Sequence, residues 1–464
     1  MVWMDFYNLN YIINMENKML SEIKWDNHPI LENLKLCFKK PDGNIYNTIV
    51  LVGNNGCGKT TILNSISDFI NSNTIEHIDY LEYSANGKFF KNYKLQNSQL
   101  SNLGFHYRED LELKTRKEVR TNKHNSFQSL LSDLEDLRSY GSLMSKARSG
   151  FKTNKVKSST TLQLDNDKYN EDNSDDFTQI KQLLIDINEQ DNATYTNLNK
   201  KKIVKWEDFY PSSKIYRFEK AFNTFFKNIK YIGINEESSE EKEIIFEKNN
   251  KIINIDNLST GEKQIVFRGT SLLRNSQNIN GGIVLIDEPE LSMHPQWQKD
   301  ILNFYKNLFT QNKTQIAQIF IATHSEYVLK SALEDKDTLV VLLNDNSGII
   351  ESKNILAPFV LPTITFAEIN YSAFNIPSGD YHNQLYGYLQ SKFNKTTIKD
   401  ADDYICHNTK YDITKHSKPS QYGRTQYNTL PTFIRNLIDH PNYTSNYTEE
   451  ELETSIQLLI ELCK

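Results

Sequence analysis

The sequence has few cysteines, no long apolar run and no charge surplus large enough to define a partner. Its four cysteines, Cys37, Cys57, Cys406 and Cys463, form no Cys-x-x-Cys pair and stand beside no metal-type histidine spacing. Neither a zinc site nor a disulfide framework is expected, and a reducing cytoplasm is. No stretch approaches the ~18 uninterrupted apolar residues that cross a bilayer, so no membrane association is expected. The first residues carry Asp5, Glu16 and Glu22 with no apolar core between them, which argues against a secretory signal. A net charge of −6 excludes a polycation that coats nucleic acid over its whole surface. Sustained heptads are also lacking, which excludes long coiled-coil arms.

What is present is enough for a real core. The chain has 464 residues, 38% of them hydrophobic, with 24 Phe and 25 Tyr, and its length suggests two or three domains. Residues 30–52 read as two strands around Pro41-Asp42-Gly43, the second ending in the wholly apolar Ile49-Val50-Leu51-Val52. A helix is expected from about Lys59 to Ile70, then a hairpin from Ile78–Tyr83 and Phe89–Leu95. From 105 to about 210 polar residues dominate, Asp165–Asp176 reads as an acidic linker, and Ser126–Tyr140 and Phe177–Ile187 have helical spacing. Beyond 215 come an amphipathic helix, Tyr216–Phe226, and a hairpin around Asn249-Asn250. Short apolar strands at Ile283–Ile286, Ile319–Ala322 and Leu339–Leu343 alternate with helical patterns at 263–274 and 296–309, which predicts a parallel α/β sheet.

Four motifs sit on this frame. Gly53-Asn54-Asn55-Gly56-Cys57-Gly58-Lys59-Thr60, followed by Thr61, matches G-x-x-x-x-G-K-[ST] between a buried strand and a helix. Backbone N–H groups cradle a polyphosphate only where no Cβ intervenes, and the helix N-terminus adds positive charge. Lys59 would neutralise phosphate, and the Thr60 hydroxyl would ligate Mg²⁺. Ile283–Ile286 delivers Asp287 and Glu288 to a strand's carboxyl end, where ligands of open α/β sheets bind. Asp287 suits metal support, and Glu288 suits orienting and deprotonating water. Leu258-Ser259-Thr260-Gly261-Glu262-Lys263-Gln264 opens a helix, either as a second anion site or as a plain S-x-x-E capping box. Ala322-Thr323-His324-Ser325 ends another apolar strand, where His324 could reach a γ-phosphate and the attacking water.

Taken in order, these motifs resemble the ABC-type ATPase superfamily, in its SMC, Rad50 and RecF branch. The resemblance covers residues 28–75 and 215–345, with Glu290–Pro295 similar to the family's D-loop. It implies ATP and Mg²⁺ as cofactors and a head-to-head homodimer, or a higher oligomer, in which Ser259, Gly261 and Glu262 cover ATP held by the other subunit. It also implies a magnesium-sensing glutamine, for which Gln96 and Gln99 are candidates and Gln96 is preferred. The expected fold is an α/β P-loop ATPase head with an inserted helical lobe and a mainly helical C-terminal extension. The expected divisions are 1–104 and 215–350 for the head, 105–214 for the basic insertion and 351–464 for the extension.

The layout further resembles the compact ATPases of bacterial anti-phage systems, the Septu-type and retron-associated PtuA. That implies a sensor or regulator controlling an effector nuclease chain. Two local features leave alternatives open. Between Glu112 and Lys157 eleven Lys/Arg face five Asp/Glu, among them Lys114, Arg116, Lys117, Arg120, Lys152, Lys155 and Lys157. This is a nucleic-acid surface of a DNA-repair ATPase, a dock for an acidic partner, or a solvated face. Arg435-Asn436-Leu437-Ile438-Asp439-His440 resembles the R-N-x-x-x-H motif of HEPN ribonucleases, or else is a helix end whose Arg pairs with a carboxylate and whose His caps the C-terminus.

Overall fold

The computed structural model describes residues 18–70, 77–94, 106–119, 137, 142–145, 177–238, 241–273, 282–311, 313–355, 359–441 and 446–464. The chain forms two compact units, Met1–Ile355 and Leu356–Lys464.

The first unit is built on two six-stranded sheets. One is antiparallel, in the order β2-β1-β4-β5-β6-β7, from β1 (Met19–Trp25), β2 (Lys35–Cys37), β4 (Ile78–Ala85), β5 (Lys88–Lys94), β6 (His106–Asp110) and β7 (Arg116–Val119). The other runs β17-β16-β3-β15-β12-β8, from β3 (Thr48–Gly53), β8 (Ser142–Ser145), β12 (Ile283–Asp287), β15 (Gln318–Thr323), β16 (Thr338–Asn346) and β17 (Ile349–Ile355). All its neighbours are parallel except β16–β17. The small hairpin of β13 (Thr310–Gln311) and β14 (Thr314–Gln315) precedes β15. Every residue of β3, β12 and β15 is buried, as continuous apolar runs covered on both faces require.

Helix α1 (Lys59–Ile70) buries Ile62, Leu63, Ile66 and Phe69 in one core with Leu20, Ile23 and Trp25 of β1 and Leu285 and Phe320 of the parallel sheet. At about 1.5–3 kcal/mol for each large side chain removed from water, this shared core is what holds the two sheets together. A three-stranded antiparallel sheet, β9 (Ile229–Ser238), β10 (Glu241–Lys248) and β11 (Lys251–Asn254), packs with α2 (Phe177–Lys201), α3 (Lys214–Phe225) and α4 (Thr260–Leu273). Its β10–β11 turn places Asn249 and Asn250 at φ 51° and 61°, the left-handed pair a two-residue hairpin demands. Helices α5 (Ile301–Leu308) and α6 (Glu326–Glu334) complete the unit.

Three expectations need correction. Residues 31–34 are not strand, and the partner of β2 is β1, which the polar–apolar mixture of 19–25 did not announce. The helical pattern at 296–309 breaks into Pro295–Gln298 and α5. Within 105–214, the described residues 106–119 extend the antiparallel sheet and 142–145 pair with β12, so these parts are strand and not helical lobe. Their apolar content is too low to read as strands because pairing, not burial on both faces, defines them. Most of Ser126–Tyr140, the acidic stretch Asp165–Asp176, Gln96, Gln99, Arg120, Lys152, Lys155 and Lys157 lie outside the described residues.

The second unit packs α7 (Phe366–Phe374), α8 (Gly379–Lys392), α9 (Ile398–Cys406), α10 (Leu430–Asp439) and α11 (Glu449–Cys463) with a hairpin of β18 (Ser417–Tyr422) and β19 (Thr425–Thr429). Its core includes Tyr381, Leu385, Ile434, Ile456 and Leu459. Thr397 with Asp400 and Thr448 with Glu451 form capping boxes at α9 and α11. Each satisfies two helix-end donors reciprocally.

Candidate nucleotide site

The parallel register sets three carboxyl ends side by side. Thr323 pairs with Val52 and Ala322 with Asp287, so the phosphate loop, the His324 turn and the Asp287-Glu288 pair emerge from adjacent strands β3, β15 and β12. They meet at a cleft of about 390 Å³ lined by Asn54, Asn55, Glu288, Glu290, Leu291 and His324.

In the loop itself, Gly53 stands at φ +151°, and a Cβ there would lie 2.2 Å from the Leu343 carbonyl oxygen of β16. Glycine is required by that close approach as well as by the backbone angle. The buried Lys59 ammonium donates to the carbonyls of Gly53 and Asn54 at 2.8 and 2.9 Å and sits 3.3 Å from His324 Nδ1. Burial pulls its pKa below the usual lysine range, opposed by Cys57, Glu288 and Asp287.

Thr60 Oγ1 donates to Asp287, 2.9 Å from Oδ2 and 3.2 Å from Oδ1. Burial pushes the Asp287 carboxyl above its ordinary range; the Thr60 bond opposes this and the neighbouring Glu288 charge adds to it. A hydroxyl and a carboxylate held together are hard oxygen donors that suit Mg²⁺, which binds few protein ligands and keeps waters. A carboxylate strained by burial also gains most from a nearby cation.

His324 Nε2 lies 3.3 Å from Glu288 Oε1. Because an ammonium only donates, His324 Nδ1 accepts from Lys59, and the ring proton on Nε2 faces Glu288. Glu288 holds φ +43°, a left-handed backbone that costs a non-glycine residue about 1–2 kcal/mol. Its N–H donates to the Ala322 carbonyl at 2.9 Å.

The helix-opening motif divides by exposure. Ser259 and Thr260 face solvent, while Leu258, Gly261, Glu262 and Gln264 are buried. Ser259 and Glu262 make both capping-box bonds, Ser259 N–H to Glu262 Oε2 at 2.8 Å and Glu262 N–H to Ser259 Oγ at 3.4 Å, and Lys248 pairs with Glu262 at 2.9 Å. Gly261 is needed inside the chain: a Cβ would meet Trp297 Cζ3 at 2.9 Å and the Ser292 carbonyl at 3.1 Å. The described residues thus give Gly261 and Glu262 structural work and leave Ser259 outward.

Two residues near the site, Gln298 and Arg268, escaped the sequence reading, and Glu290, read only as part of the D-loop-like segment, has a further contact. Glu290 Oε1 accepts from the Thr323 hydroxyl at 2.7 Å and the His324 N–H at 2.8 Å, fixing the His324 turn. Gln298 bridges the Met293 carbonyl and Ser325, tying the D-loop-like turn to the same place. Arg268 of α4 donates to the carbonyls of Asp287 and Glu288, both at 3.0 Å. Arg268 did leave a signal, since it sits among Ile265 and Leu272 at helical spacing, where an apolar residue is expected.

The other candidates among the described residues have these contacts. Arg435 pairs with Asp439 at 2.6 Å and donates to the Asn436 amide, and His440 ends α10 stacked on Tyr422. That is the arrangement of a paired and capped helix end. On β7, Arg116 lies 3.5 Å from Glu109 and over the Tyr93 and Tyr107 rings, on a face of paired charges and tyrosines.

A parallel sheet with a phosphate loop, paired carboxylates and a histidine turn at its carboxyl ends defines a P-loop ATPase head of the ABC/SMC type. The chain belongs to the family described as "AAA domain, putative AbiEii toxin, Type IV TA system", whose model matches residues 49–330. No curated protein matches it. Similar solved structures include an SMC head bound to the C-winged helix domain of ScpA, with 11% identity over 73% of this chain and 98% of that chain at TM-score 0.40. The SMC head with an extended coiled coil bound to the C-terminal domain of ScpA, from Pyrococcus furiosus, has 11% identity over 73% and 96% at TM-score 0.37. The SMC head domain of Thermotoga maritima has 12% identity over 72% and 98% at TM-score 0.34. Among the described residues no helix is long and apolar enough to cross a membrane.

Proposed function

We propose that this chain hydrolyses Mg-ATP as a head-to-head homodimer in the cytoplasm and serves as the sensor or regulator subunit of an anti-phage defence complex, of the Septu or PtuA kind, controlling an effector nuclease chain. The observation that carries the ATPase reading is the convergence of Lys59, Thr60, Asp287, Glu288 and His324 in one cluster of side-chain contacts at three adjacent strand ends. The defence setting is supported by the family's description as a toxin of a toxin–antitoxin system.

The loop amides of Asn54–Thr61 and the Lys59 ammonium bind the polyphosphate, which requires Lys59 to exchange its two loop carbonyls for phosphate oxygens. Thr60 and Asp287 would hold Mg²⁺, which would supply charge neutralisation to the polyphosphate. Glu288 takes the proton of the attacking water, and His324, fixed by Glu290, orients Glu288 and reads the γ-phosphate. The outward Ser259, its oxygen already accepting from Glu262, keeps its own proton to donate to a nucleotide on a second copy.

Purified protein should release phosphate from ATP only with Mg²⁺, and light scattering should show a dimer forming with Glu288→Gln and ATP. Absence of turnover in both conditions rejects the ATPase. Affinity isolation of the native protein tests the defence role: a copurifying nuclease supports it, and a copurifying set of DNA-repair factors rejects it.

A further inference from the structure

Arg268 is almost completely buried, at 1% exposure, and does not line the cleft, although its charge is felt by the Asp287 carboxyl. Its two terminal nitrogens are spent on backbone, one on the carbonyl of Asp287 and one on that of Glu288. A guanidinium is suited to this, because its planar fork fixes two acceptors at once, whereas an ammonium is a point donor. The peptide it grips carries the left-handed φ of Glu288, a conformation that persists only where surrounding contacts over-determine it. Other restraints there include the Glu288 N–H bond to the Ala322 carbonyl, the Leu291 N–H bond to the Glu288 carbonyl at 3.2 Å, and the His324 contact to the side chain.

The helix bearing Arg268 is also the one whose first turn carries the outward Ser259 and Thr260. Nine residues separate Ser259 from Arg268, or about 13 Å along the axis. Gly261, at the start of the same helix, packs on the Ser292 carbonyl and Trp297.

We infer that Arg268 is a positioning residue for phosphoryl transfer: it sets the backbone that aims Glu288, and it ties that aim to the outward first turn of α4. The inference rests on the ATPase reading of the site. A displacement of the first turn, as when a second copy's nucleotide meets Ser259, reaches Glu288 through the rigid helix and the Arg268 fork. Arg268 touches neither substrate nor metal in this role, so its loss acts on the rate and not on nucleotide affinity.

The test uses the full chain with Arg268→Lys and Arg268→Gln, alone and combined with Glu288→Gln, with ATP binding measured directly and turnover measured under single- and multiple-turnover conditions. Expected are a kcat lower by about a hundredfold for Arg268→Gln and less for Arg268→Lys, with KM and nucleotide affinity within about twofold of the parent. In the Glu288→Gln background either substitution should change the residual rate by less than about threefold, because the residue it acts through is already disabled. A raised KM with unchanged kcat overturns the inference, and so does a rate loss that multiplies in full with that of Glu288→Gln. Arg268→Lys keeps a buried cation and is the variant to judge should Arg268→Gln fail to fold. The parent's own turnover, read alongside, tests the ATPase assignment separately.

Discussion

The Thr60 hydroxyl donates to the Asp287 carboxylate across 2.9 Å, although 227 residues separate the two in the chain. The parallel pairing of β3, β15 and β12 brings them together, which places the glycine-rich loop and the acidic strand end side by side. Glu288 and His324 extend the same cluster, with His324 linking it back to Lys59.

Lys59→Ala and Glu288→Gln should fail in different ways. Removing the Lys59 cation should weaken ATP binding by about ten- to a hundredfold, the equivalent of a charged hydrogen bond. Glu288→Gln should keep affinity within about twofold and lower kcat by about 10²–10⁴. Fluorescent-nucleotide titration beside a phosphate-release assay separates them. Unchanged turnover in Glu288→Gln removes that residue from the role of base.

Gly53→Ala should damage the fold as well as the site. The new methyl would collide with the Leu343 carbonyl at 2.2 Å and the Cys57 sulfur at 2.9 Å, on a backbone angle that side chains avoid. A loss of roughly 3 kcal/mol or more in urea unfolding is expected, since the nearest obstacle is sheet backbone and cannot swing away. A near-neutral Gly53→Ala would show that the β3–β16 register differs from Gly53 opposite Leu343.

For the capping box, Glu262→Ala should cost about 1–3 kcal/mol, because it removes the partner of the Ser259 N–H and leaves Lys248 unpaired. Lys248→Ala should cost less, about 1 kcal/mol at most, because the Lys248 side chain is 29% exposed whereas that of Glu262 is 5% exposed. Equal losses in chemical denaturation would mean the ion pair, and not the cap, is what Glu262 supplies.

In the second unit, His382 is fully buried, 2.9 Å from the Ser455 hydroxyl, and burial pulls its imidazole down to about 4. The folded chain therefore keeps it neutral at pH values where the unfolded chain protonates it. Its contribution is intact above about pH 6.5 and is lost progressively as pH falls to about 4, by about 3 kcal/mol in total. Below that both states are protonated and the loss stops. The stability advantage of the parent over His382→Gln should shrink across this window when melting is followed by circular dichroism. A difference that stays constant from pH 7 to 4.5 would assign the acid sensitivity to other groups.

Much of the site was legible because phosphate chemistry constrains short, contiguous segments. The phosphate loop, Asp287-Glu288 and His324 each follow an apolar run that can only be a covered strand, and the structure brings them together at adjacent strand ends, with Asn54, Asn55, Glu288 and His324 lining one cleft. The signature-like turn carried two readings in the sequence, and the structure realises the capping box while keeping Ser259 outward. The Arg435 and His440 pattern carried two readings in the sequence, and the structure shows where its side chains sit. Arg435 is engaged by Asp439 at the i,i+4 spacing of a helix ion pair, whereas the Tyr422 ring stacked on His440 comes from the hairpin and no spacing rule singles it out.

Sequence alone determined the class of chemistry, because glycines, a lysine and strand-end carboxylates at fixed local spacing have few other physical uses. Only the tertiary structure decided which distant groups serve them. Arg268 reaches two carbonyls, Glu290 holds the histidine turn, and Gly261 yields room to Trp297, all through contacts between different elements that no local spacing specifies. Local pattern encodes the period and ends of an element, whereas strand order and helix packing set its neighbours. Those neighbours aim the reactive side chains.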